Sequence, residues 1–432
     1  MSSMSLEEIK RNKMIFVSAQ PDGVYFHWQV EIYLHQFSKH NILDHCYAIF
    51  GYVGNSVSQK GLELAKKYPN QIKFYKDERT YDQKKYIPSI RPHILKKFFA
   101  EFPDLGMNVF YHDSDIFLVH LPKFELFLKD DIGYLSDTVS YIGYKYLEEC
   151  SKRYKEKYPE LEENDLTKKM VSLFEISEEL VKDNENNSGG AQYLLKNIDS
   201  EFWANVENYS NKLYALFKDY ENKYPIEHHV QSWATDMWAV LWCYWKRGKK
   251  TLVHNELEFS WATSTAADYY KKPIFHLAGI TSKNSDTHFH KGAYTNKNIF
   301  VEYANNKNIF DHVLPSNATY EYVKVIKEYV DNQNPDEYIK KVSNVTRFLL
   351  ESKEHYSDIY VKDDKTVHFK QPIWRSINNK CIIFFNNTSW ILTASQYENE
   401  ISEKCGGFLC GTGYEEPYDC SWNSDGVSIK IL

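Results

Sequence analysis

Two aspartates, Asp113 and Asp115, follow directly after an apolar run in the segment NVFYHDSDIFLV. Side chains two residues apart on an extended chain point the same way, so both carboxylates can face one hard cation. Such a cation, Mg²⁺ or Mn²⁺, can also hold a diphosphate and stabilise the charge that develops when a bond to it breaks. Two aspartates around Ser114 also suit an ordinary turn at the end of a strand, and this remains the alternative.

A histidine that could complete such a metal site lies in the segment PIFHLAG, where His276 ends a short apolar run and Gly279 follows three residues later. In such a turn the imidazole can supply a third ligand, and the glycine lets backbone approach a phosphate closely. Downstream, Lys291 beside Gly292 offers a point charge for a departing diphosphate. The alternative for His276 is a structural role at a strand end.

A glycine-rich segment, NNSGGAQYLL, combines Gly189 and Gly190 with Gln192. Adjacent glycines let main-chain N–H groups approach a ligand, and a glutamine side chain can donate to and accept from sugar hydroxyls. The alternative is a turn in which Ser188 serves as the N-cap of a helix. On both interpretations we expect the glycines to lead into a helix.

Two charged residues, Asp236 and Arg91, stand in sequence contexts that indicate either an ion pair or a ligand contact. Asp236 lies in the otherwise apolar, Trp-rich segment SWATDMWAVLWCYW, where an unpaired carboxylate is costly. It is either a satisfied structural aspartate or a group that holds a sugar hydroxyl or acts as acid or base. Arg91 stands between Pro88 and Pro92, which fix the backbone, so it suits either a phosphate or donor-sugar contact or a structural ion pair.

The elements that must position these residues are strand-like apolar runs alternating with helical stretches over the first 120 residues. This alternation predicts an α/β domain with a largely parallel sheet. A nucleotide would lie in the loop after the first strand, so Ser18, Ala19 and Gln29 are candidate contacts. The predicted strands are 14–19, 46–50, 71–75, 107–111 and 272–277, and the predicted helices are 28–38, 61–68, 91–102, 232–245 and 319–330.

The remaining segments differ in composition. Residues 145–230 are rich in Lys, Glu, Asn and Tyr with long helical periodicity, which predicts a helical insertion. The C-terminal region alternates apolar and polar residues between Asn and Gly turns, which predicts a small antiparallel β module. We therefore predict a catalytic domain at 1–310, a helical connector at 311–364 and a β-rich accessory module at 365–432.

Aromatic residues make up 16% of the 432-residue chain. Rings of this kind pack cores, and they also stack on sugars. We expect Trp233 and Trp238 to belong to the core. The rings expected to be available for stacking on sugars are Tyr193, Trp374, Trp390 and Trp422.

Charge and cysteine usage limit the possible partners and compartments. The net charge of -7 and the absence of a Lys/Arg-rich stripe disfavour extended binding to nucleic acid. The seven cysteines form no CxxC motif, so we expect buried free thiols, with metal binding or disulfides among the last four as the alternative. The polar N-terminus and the short apolar run 14–19 predict a cytoplasmic protein without stable membrane insertion.

The order of these motifs resembles that of GT-A glycosyltransferases, a Rossmann-like α/β fold. Within them it is most similar to the group that contains plant hydroxyproline O-arabinosyltransferases and peptidyl-serine α-galactosyltransferases. The resemblance covers about residues 14–300. It rests on WQ at 28–29, YIPSIRP at 86–92, DSD at 113–115, GGAQY at 189–193, DMW at 236–238 and HLAG at 276–279.

The resemblance implies a metal-dependent glycosyltransferase with a nucleotide-diphosphate sugar donor and retention of anomeric configuration. The acceptor and the donor sugar are not carried over from it. We predict a UDP-sugar donor and a carbohydrate or glycoconjugate acceptor, whether glycan, glycolipid or protein. The alternatives are a metal-dependent phosphohydrolase, a non-catalytic carbohydrate-binding protein, and a transferase acting on modified DNA bases, which the acidic balance disfavours. The implied roles are Asp113, Asp115 and His276 for Mn²⁺ or Mg²⁺, Arg91, Lys291, Ser114 and Gly279 for the nucleotide, and Gly190, Gln192 and Asp236 for the donor sugar.

Overall fold

The computed structural model of the chain describes residues 2–333 and most of 347–431. Residues 1, 334–346, 352–355, 369–370, 379, 387–388, 401–406, 408, 413–416, 418–420, 423–426 and 432 lie outside the description. Its α-helices are α1 (Ser2–Arg11), α2 (Val24–Ser38), α3 (Gln59–Lys67), α4 (Tyr81–Lys84), α5 (Ile90–Glu101), α6 (Val139–Ile142), α7 (Tyr144–Lys157), α8 (Asp165–Phe174), α9 (Glu178–Asp183), α10 (Ser200–Lys223), α11 (Thr235–Lys246), α12 (Ala266–Lys271), α13 (Ile299–Asn305) and α14 (Ala318–Asp331).

The strands fall into an N-terminal and a C-terminal set. The first set is β1 (Ile15–Pro21), β2 (Cys46–Tyr52), β3 (Ile72–Lys76), β4 (Asn108–Tyr111), β5 (Ile116–Leu118), β6 (Gly133–Leu135), β7 (Tyr193–Lys196), β8 (Thr251–Val253), β9 (Phe259–Trp261) and β10 (Ile274–His276). The second is β11 (Arg347–Glu351), β12 (Asp358–His368), β13 (Gln371–Ser376), β14 (Cys381–Phe385), β15 (Ser389–Ala394), β16 (Leu409–Thr412), β17 (Ser421–Trp422) and β18 (Ser428–Ile431).

A seven-stranded, mainly parallel sheet forms the centre of the N-terminal part, with strand order β3-β2-β1-β4-β7-β6-β8. β7 runs antiparallel to both of its neighbours, and the other pairings are parallel. Both faces of the sheet are covered. In β1, Val17 enters the core cluster shared with α5, α10 and α11, whereas Phe16 enters the opposite cluster with α2 and α14. The predicted α/β class with a largely parallel sheet is therefore confirmed.

The predicted helix after the glycine pair is wrong, because Tyr193–Lys196 form strand β7. Every residue of β7 is buried, and its backbone bonds to β4 on one side and β6 on the other. Ser188 caps no helix here, since its Oγ donates to the carbonyl of Asn184 at 2.9 Å. A short apolar run such as YLLK suits a helix or a strand equally. Here the segment forms a strand because β4 and β6 pair with it on its two sides.

The C-terminal strands form a separate antiparallel eight-stranded sheet with order β17-β16-β15-β14-β13-β12-β11-β18. This confirms the predicted β module. β11 and the first part of β12 lie inside the stretch predicted as a helical connector, so the helical interpretation is wrong for residues 347–351 and 358–364. Phe348 and Leu350 alternate into the core of this sheet, which is the period of a strand. The division into domains stays a prediction.

The tryptophans of the C-terminal sheet are core residues. Trp374, Trp390 and Trp422 are all buried and belong to one hydrophobic cluster with Phe348 and Leu392. The expectation that these rings stack on sugars is therefore wrong. Strand alternation places them on the inward face, where they contribute apolar burial.

The described cysteine side chains are buried free thiols, as predicted, at Cys46, Cys150, Cys243 and Cys381. Cys405, Cys420 and the side chain of Cys410 lie outside the described residues. Within the described part of the chain, no helix has the length and apolar character needed to cross a bilayer.

Candidate metal centre

Strand pairing brings the acidic motif and His276 together. Asp113 and Asp115 lie in the link between β4 and β5, at the carboxyl end of β4. β10 runs antiparallel to β5 with His276 opposite Ile116, and the N–H of Leu277 donates to the carbonyl of Asp115 at 2.9 Å. His276 Nε2 is consequently 3.5 Å from Asp113 Oδ2 and 3.5 Å from Asp115 Oδ1.

The donor set of this cluster fits a divalent cation. One ligand atom from each of Asp113, Asp115 and His276 lies within 4.8 Å of the others. The separation of 3.5 Å from the imidazole to each carboxylate falls between the about 3 Å of adjacent ligands and the about 4.2 Å of opposite ligands on an octahedral ion with bonds of about 2.1 Å. Two carboxylates and one imidazole can hold a divalent cation and leave its other coordination positions open.

A lysine neutralises the buried carboxylate of this cluster. Lys291 Nζ donates to Asp115 Oδ2, while Asp115 Oδ1 faces His276. Burial by itself would raise the pKa of Asp115. Lys291 and His276 lower the pKa of Asp115 by more, so it lies well below its usual range. For Lys291 the directions are reversed: burial lowers its pKa, and the Asp115 carboxylate raises it by more. Asp115 is therefore held ionised, as a metal ligand must be.

An arginine joins the metal cluster to the aspartate of the Trp-rich helix. Arg91 Nη1 lies 3.0 Å from Asp113 Oδ1 and 3.0 Å from Asp236 Oδ2. The Tyr86 hydroxyl donates to Asp236 Oδ1 at 2.9 Å and accepts from the Asp236 N–H at 2.9 Å. Burial raises the pKa of Asp236, and Arg91 opposes the rise. Of the two sequence alternatives for Asp236 and Arg91, the ion pair is present, and both side chains also line a cavity.

Gln192 lies behind His276 and is fully buried. Its Nε2 is 3.4 Å from His276 Nδ1, and its Oε1 accepts from Ser136 Oγ at 2.7 Å. A side chain so placed contacts a metal ligand and orients it. Gln192 thus lies against His276 and is not among the residues that line the cavity beside Asp236, and its predicted sugar contact stays a prediction.

The glycine pair forms a tight turn against Ser136. The N–H of Gly190 donates to the Ser136 carbonyl at 3.1 Å. A Cβ at Gly189 would lie 2.4 Å from the same oxygen, so a side chain is excluded there. Ala191 has a φ of 64°, a left-handed conformation that costs free energy for a non-glycine residue. This strained turn carries the chain into the cavity wall and then into β7.

Other predicted nucleotide contacts are engaged within the fold. Ser114 Oγ donates to Gln29 Oε1 at 3.2 Å, which ties the acidic motif to α2. Ser18 shares a hydrogen bond of 2.8 Å with the hydroxyl of Tyr33, and Ala19 packs in the core. The structure therefore gives Ser18, Ala19, Gln29 and Ser114 supporting positions, and their predicted nucleotide contacts stay predictions.

The remaining predicted residues lie in turns near the metal cluster. Gly279 follows β10 with a φ of 95°, which requires a residue without a Cβ. Gly292 follows Lys291 in a short 3₁₀ helix, 291–294, and a Cβ there would lie 2.6 Å from His290 Nε2. Lys291 therefore reaches Asp115 from a solvent-exposed turn.

A cavity of about 200 Å³ opens beside Asp113. Trp233, 58% exposed, stands at this cavity, so its predicted core position is wrong, whereas Trp238 is fully buried as predicted. Tyr193 is buried with its ring 5.7 Å from that of Tyr111, so its ring does not offer an open face for stacking. The lining residues are Pro88, Arg91, Tyr111, Asp113, Ala191, Tyr193, Trp233, Asp236, Met237 and Val240.

Several side chains at the centre were not assigned a role from the sequence. Trp261, at the end of β9, stacks on the ring of His276 at 5.9 Å between centroids and 15° between planes. Tyr86 was part of the YIPSIRP motif, but nothing in its spacing indicated a bond to Asp236. Ser136 and Tyr141 carry no local sequence signal, because their positions depend on the pairing of β6 and on α6.

Comparisons with known proteins add little to this geometry. No family model matches the sequence, and no curated protein matches it. A solved structure of the galactosyltransferase LgtC in complex with donor and acceptor sugar analogues is similar over 62% of this chain and 87% of that one, with 12% identity and a TM-score of 0.30. A likeness of this size carries no conclusion about this chain.

Proposed function

We propose that this chain is a metal-dependent glycosyltransferase that uses a nucleotide-diphosphate sugar as its donor. The observation that carries the proposal is the Asp113–Asp115–His276 cluster at the carboxyl end of β4, with two cationic side chains around it. Open α/β sheets bind ligands at the carboxyl ends of their strands. A cation with open positions, flanked by Arg91 and Lys291, suits a diphosphate.

Each group has a distinct task in this proposal. When bound, the metal supplies charge stabilisation for the leaving diphosphate. Lys291 and Arg91 are less than one third exposed and already lie beside the carboxylates of the cluster. They would exchange these carboxylate partners for phosphate oxygens when a diphosphate binds. The donor sugar would occupy the cavity of about 200 Å³, where Asp236 lines the wall and the Tyr193 hydroxyl has no partner among the described residues.

The finer assignments of the proposal are a UDP-sugar donor, Mn²⁺ and retention of configuration, and of these the motif resemblance implies retention. In a retaining transfer without a dedicated base, the acceptor oxygen bonds to the anomeric carbon as the bond to the diphosphate breaks. The proton of the acceptor then passes to the leaving phosphate. Such a transfer agrees with the position of Asp236, which is not a free base because its two oxygens are engaged by Tyr86 and Arg91.

The test combines thermal shift with nucleotide release. We expect UDP or GDP to raise the melting temperature only when Mn²⁺ is present, and a screen of UDP-, GDP- and dTDP-sugars to show Mn²⁺-dependent nucleotide release. Changing Asp113→Asn and Asp115→Asn together should abolish both effects, because the cluster loses both charged ligands. Asp219→Asn, an exposed aspartate paired with Lys223 on α10, serves as the control. Undiminished release in the double variant would refute the assignment.

A further inference from the structure

A line of three aromatic side chains runs from the proposed donor cavity to the metal cluster. The rings of Trp233 and Tyr141 are 5.8 Å apart, and those of Tyr141 and Trp261 are 6.3 Å apart. Trp261 in turn stacks on His276. We call Trp233, Tyr141 and Trp261 the aromatic track. Trp233 is exposed and Tyr141 and Trp261 are half-buried, so part of each ring is accessible to a ligand.

The aromatic track borders a second cavity, of about 450 Å³. This size falls within the about 300–1,000 Å³ typical of small-ligand sites. Its lining includes Asp137, Ser140, Tyr141, Glu258, Phe259 and Trp261. Trp233 lines the donor cavity, and Tyr141 and Trp261 line the second one, so the track connects the two.

The second cavity combines ring faces with hydrogen-bond acceptors. A pyranose offers an apolar C–H face that packs on an aromatic ring, and its hydroxyls need polar partners at the ring edge. The carboxylates of Asp137 and Glu258 and the hydroxyl of Ser140 supply such partners. Rings beside carboxylates therefore match a sugar better than they match a purely apolar ligand.

The charge of the second cavity narrows the class of ligand. Among the described residues that line it, two are acidic and none is Lys or Arg. Lys272, the neighbouring cation, is already paired with Glu258. A phosphate-rich ligand such as nucleic acid needs basic partners to neutralise its backbone, and here it would meet carboxylates. The charge complementarity favours a neutral saccharide.

The second cavity lies next to the metal cluster, where an acceptor would have to bind. Trp261 stacks on the ring of His276, and Tyr141 lies beside Trp233, which lines the same cavity as Asp113. A saccharide on these rings would place a hydroxyl beside the donor cavity at Asp113. This is the approach that a sugar acceptor requires.

We propose that the aromatic track and the second cavity form the acceptor site, and that the acceptor is a neutral oligosaccharide whose sugar rings stack on Tyr141 and Trp261 and reach Trp233. This inference rests on the proposed glycosyltransferase function. Among the acceptors considered, this inference favours a neutral glycan, which the rings and the carboxylates of the second cavity would bind, over a DNA base.

The experiment measures saccharide binding separately from turnover. Wild-type protein, with Mn²⁺ and UDP present, is titrated with lactose, maltotriose and methyl β-galactopyranoside by calorimetry and saturation-transfer NMR. We expect at least one saccharide to bind, and Trp233→Ala and Tyr141→Ala each to weaken it at least about tenfold, in line with aromatic stacking. Tyr270→Ala is the control: this tyrosine is as exposed as Trp233, at 58%, but donates to Glu321 on α14 and lines neither cavity.

The outcomes separate this inference from the function on which it rests. If Mn²⁺ and UDP stabilise the protein but no saccharide binds, or binding is equal in both variants and the control, the acceptor assignment is overturned and the transferase proposal stands. Binding of an oligothymidylate that both variants lose would also overturn it, in favour of a nucleic-acid acceptor. If none of UDP, GDP and dTDP stabilises the protein in the presence of Mn²⁺, the transferase proposal itself fails. Because Trp233 is largely exposed, its variant tests the site without a large loss of core packing.

Discussion

At the scale of single residues, Gln192 is the side chain placed to orient His276. A metal takes the lone pair of imidazole Nε2, so Nδ1 must carry the proton and needs an acceptor. The Gln192 amide is 3.4 Å from Nδ1 and also bonded to the Ser136 hydroxyl. Since a hydroxyl can donate or accept, the amide can turn its oxygen towards Nδ1 while Ser136 accepts from its nitrogen. The pair can therefore hold the tautomer that binds metal.

We predict that Gln192→Leu weakens Mn²⁺ binding by about 10- to 100-fold, the usual effect of losing a partner of a metal-binding histidine. Mn²⁺ titration followed by electron paramagnetic resonance measures this without turnover. The matched control is Gln71→Leu, another buried glutamine, which donates to the Leu43 carbonyl at 3.3 Å before β3 at the opposite edge of the sheet. Equal Mn²⁺ affinity in the two variants would show that Gln192 does not orient His276.

At the scale of elements, the connection between β3 and α5 is organised by a buried ion pair. Arg79 donates to both oxygens of Asp77, at 2.9 and 3.0 Å. Its Nη1 also donates to the carbonyls of Tyr86 and Ile87, both at 3.2 Å, and to Ser89 Oγ at 2.7 Å. This connection delivers Tyr86 to Asp236 and then leads into the helix that carries Arg91. Arg79 thus shapes the site without touching it.

We predict that Arg79→Met destabilises the protein by about 3–5 kcal/mol near neutral pH, because it leaves the Asp77 carboxylate buried and unpaired. Burial raises the pKa of Asp77, and Arg79 lowers it by more, so the net direction is down. In the wild type the pair stabilises the fold above the ordinary carboxyl pKa, and this stability is lost as the pH falls through the lowered pKa. In the variant the pKa should rise above its ordinary value, so protonation at low pH relieves the cost.

Urea unfolding of both proteins at pH about 7.5 and about 4.5 checks this, and the difference between them should shrink at the lower pH. Lys85→Met removes an exposed ion pair with Asp82 from the same connection and should leave the stability unchanged. A difference that stays constant with pH would mean that Arg79 acts through its backbone carbonyl partners and not through Asp77.

The same scale shows what the sequence could predict. Apolar runs flanked by helical stretches indicated β1, β2, β3 and β4, because strands buried on both faces need continuous apolar residues. The sequence could not distinguish β7 from a helix, because four residues are too few to show either a helical or a strand period. The strands that pair with β7 are also distant in sequence. The antiparallel course of β7 likewise follows from tertiary pairing alone.

The residues of the candidate site also fall into those that the sequence predicted and those that it did not. The Asp113, Asp115 and His276 cluster was predicted from motifs at strand ends, where residue type and strand geometry coincide. The aromatic track was not, because Trp233 sits in a Trp-rich segment that reads as core throughout, and its exposure depends on a 3₁₀ turn before α11. The pairing of Arg91 with both Asp113 and Asp236 needs three segments to meet, which no local pattern encodes.

At the scale of the whole molecule, the hydrophobic clusters among the described residues fall into two groups along the chain. Two clusters draw on residues between Ile9 and Val330, and the other two draw on residues between Phe348 and Val427. A unit with its own core can fold by itself. The first group extends past the predicted limit at residue 310, because α14 supplies Tyr322, whose ring stacks on Phe117 at 4.3 Å.

We therefore predict that a fragment of residues 1–333 folds by itself and keeps the Mn²⁺-dependent stabilisation by UDP. Its melting temperature should stay within a few degrees of that of the full chain, because the clusters around the metal site remain complete. The matched control is a fragment of residues 1–310, which lacks α14 and with it the buried side chains of Tyr322, Val323 and Ile326. Losing this helix exposes the Phe117 side of the core beside β5, the strand that follows Asp115, so the control should unfold or aggregate. If both fragments fold, α14 is not part of the folding unit, and if neither folds, the N-terminal part requires the C-terminal sheet.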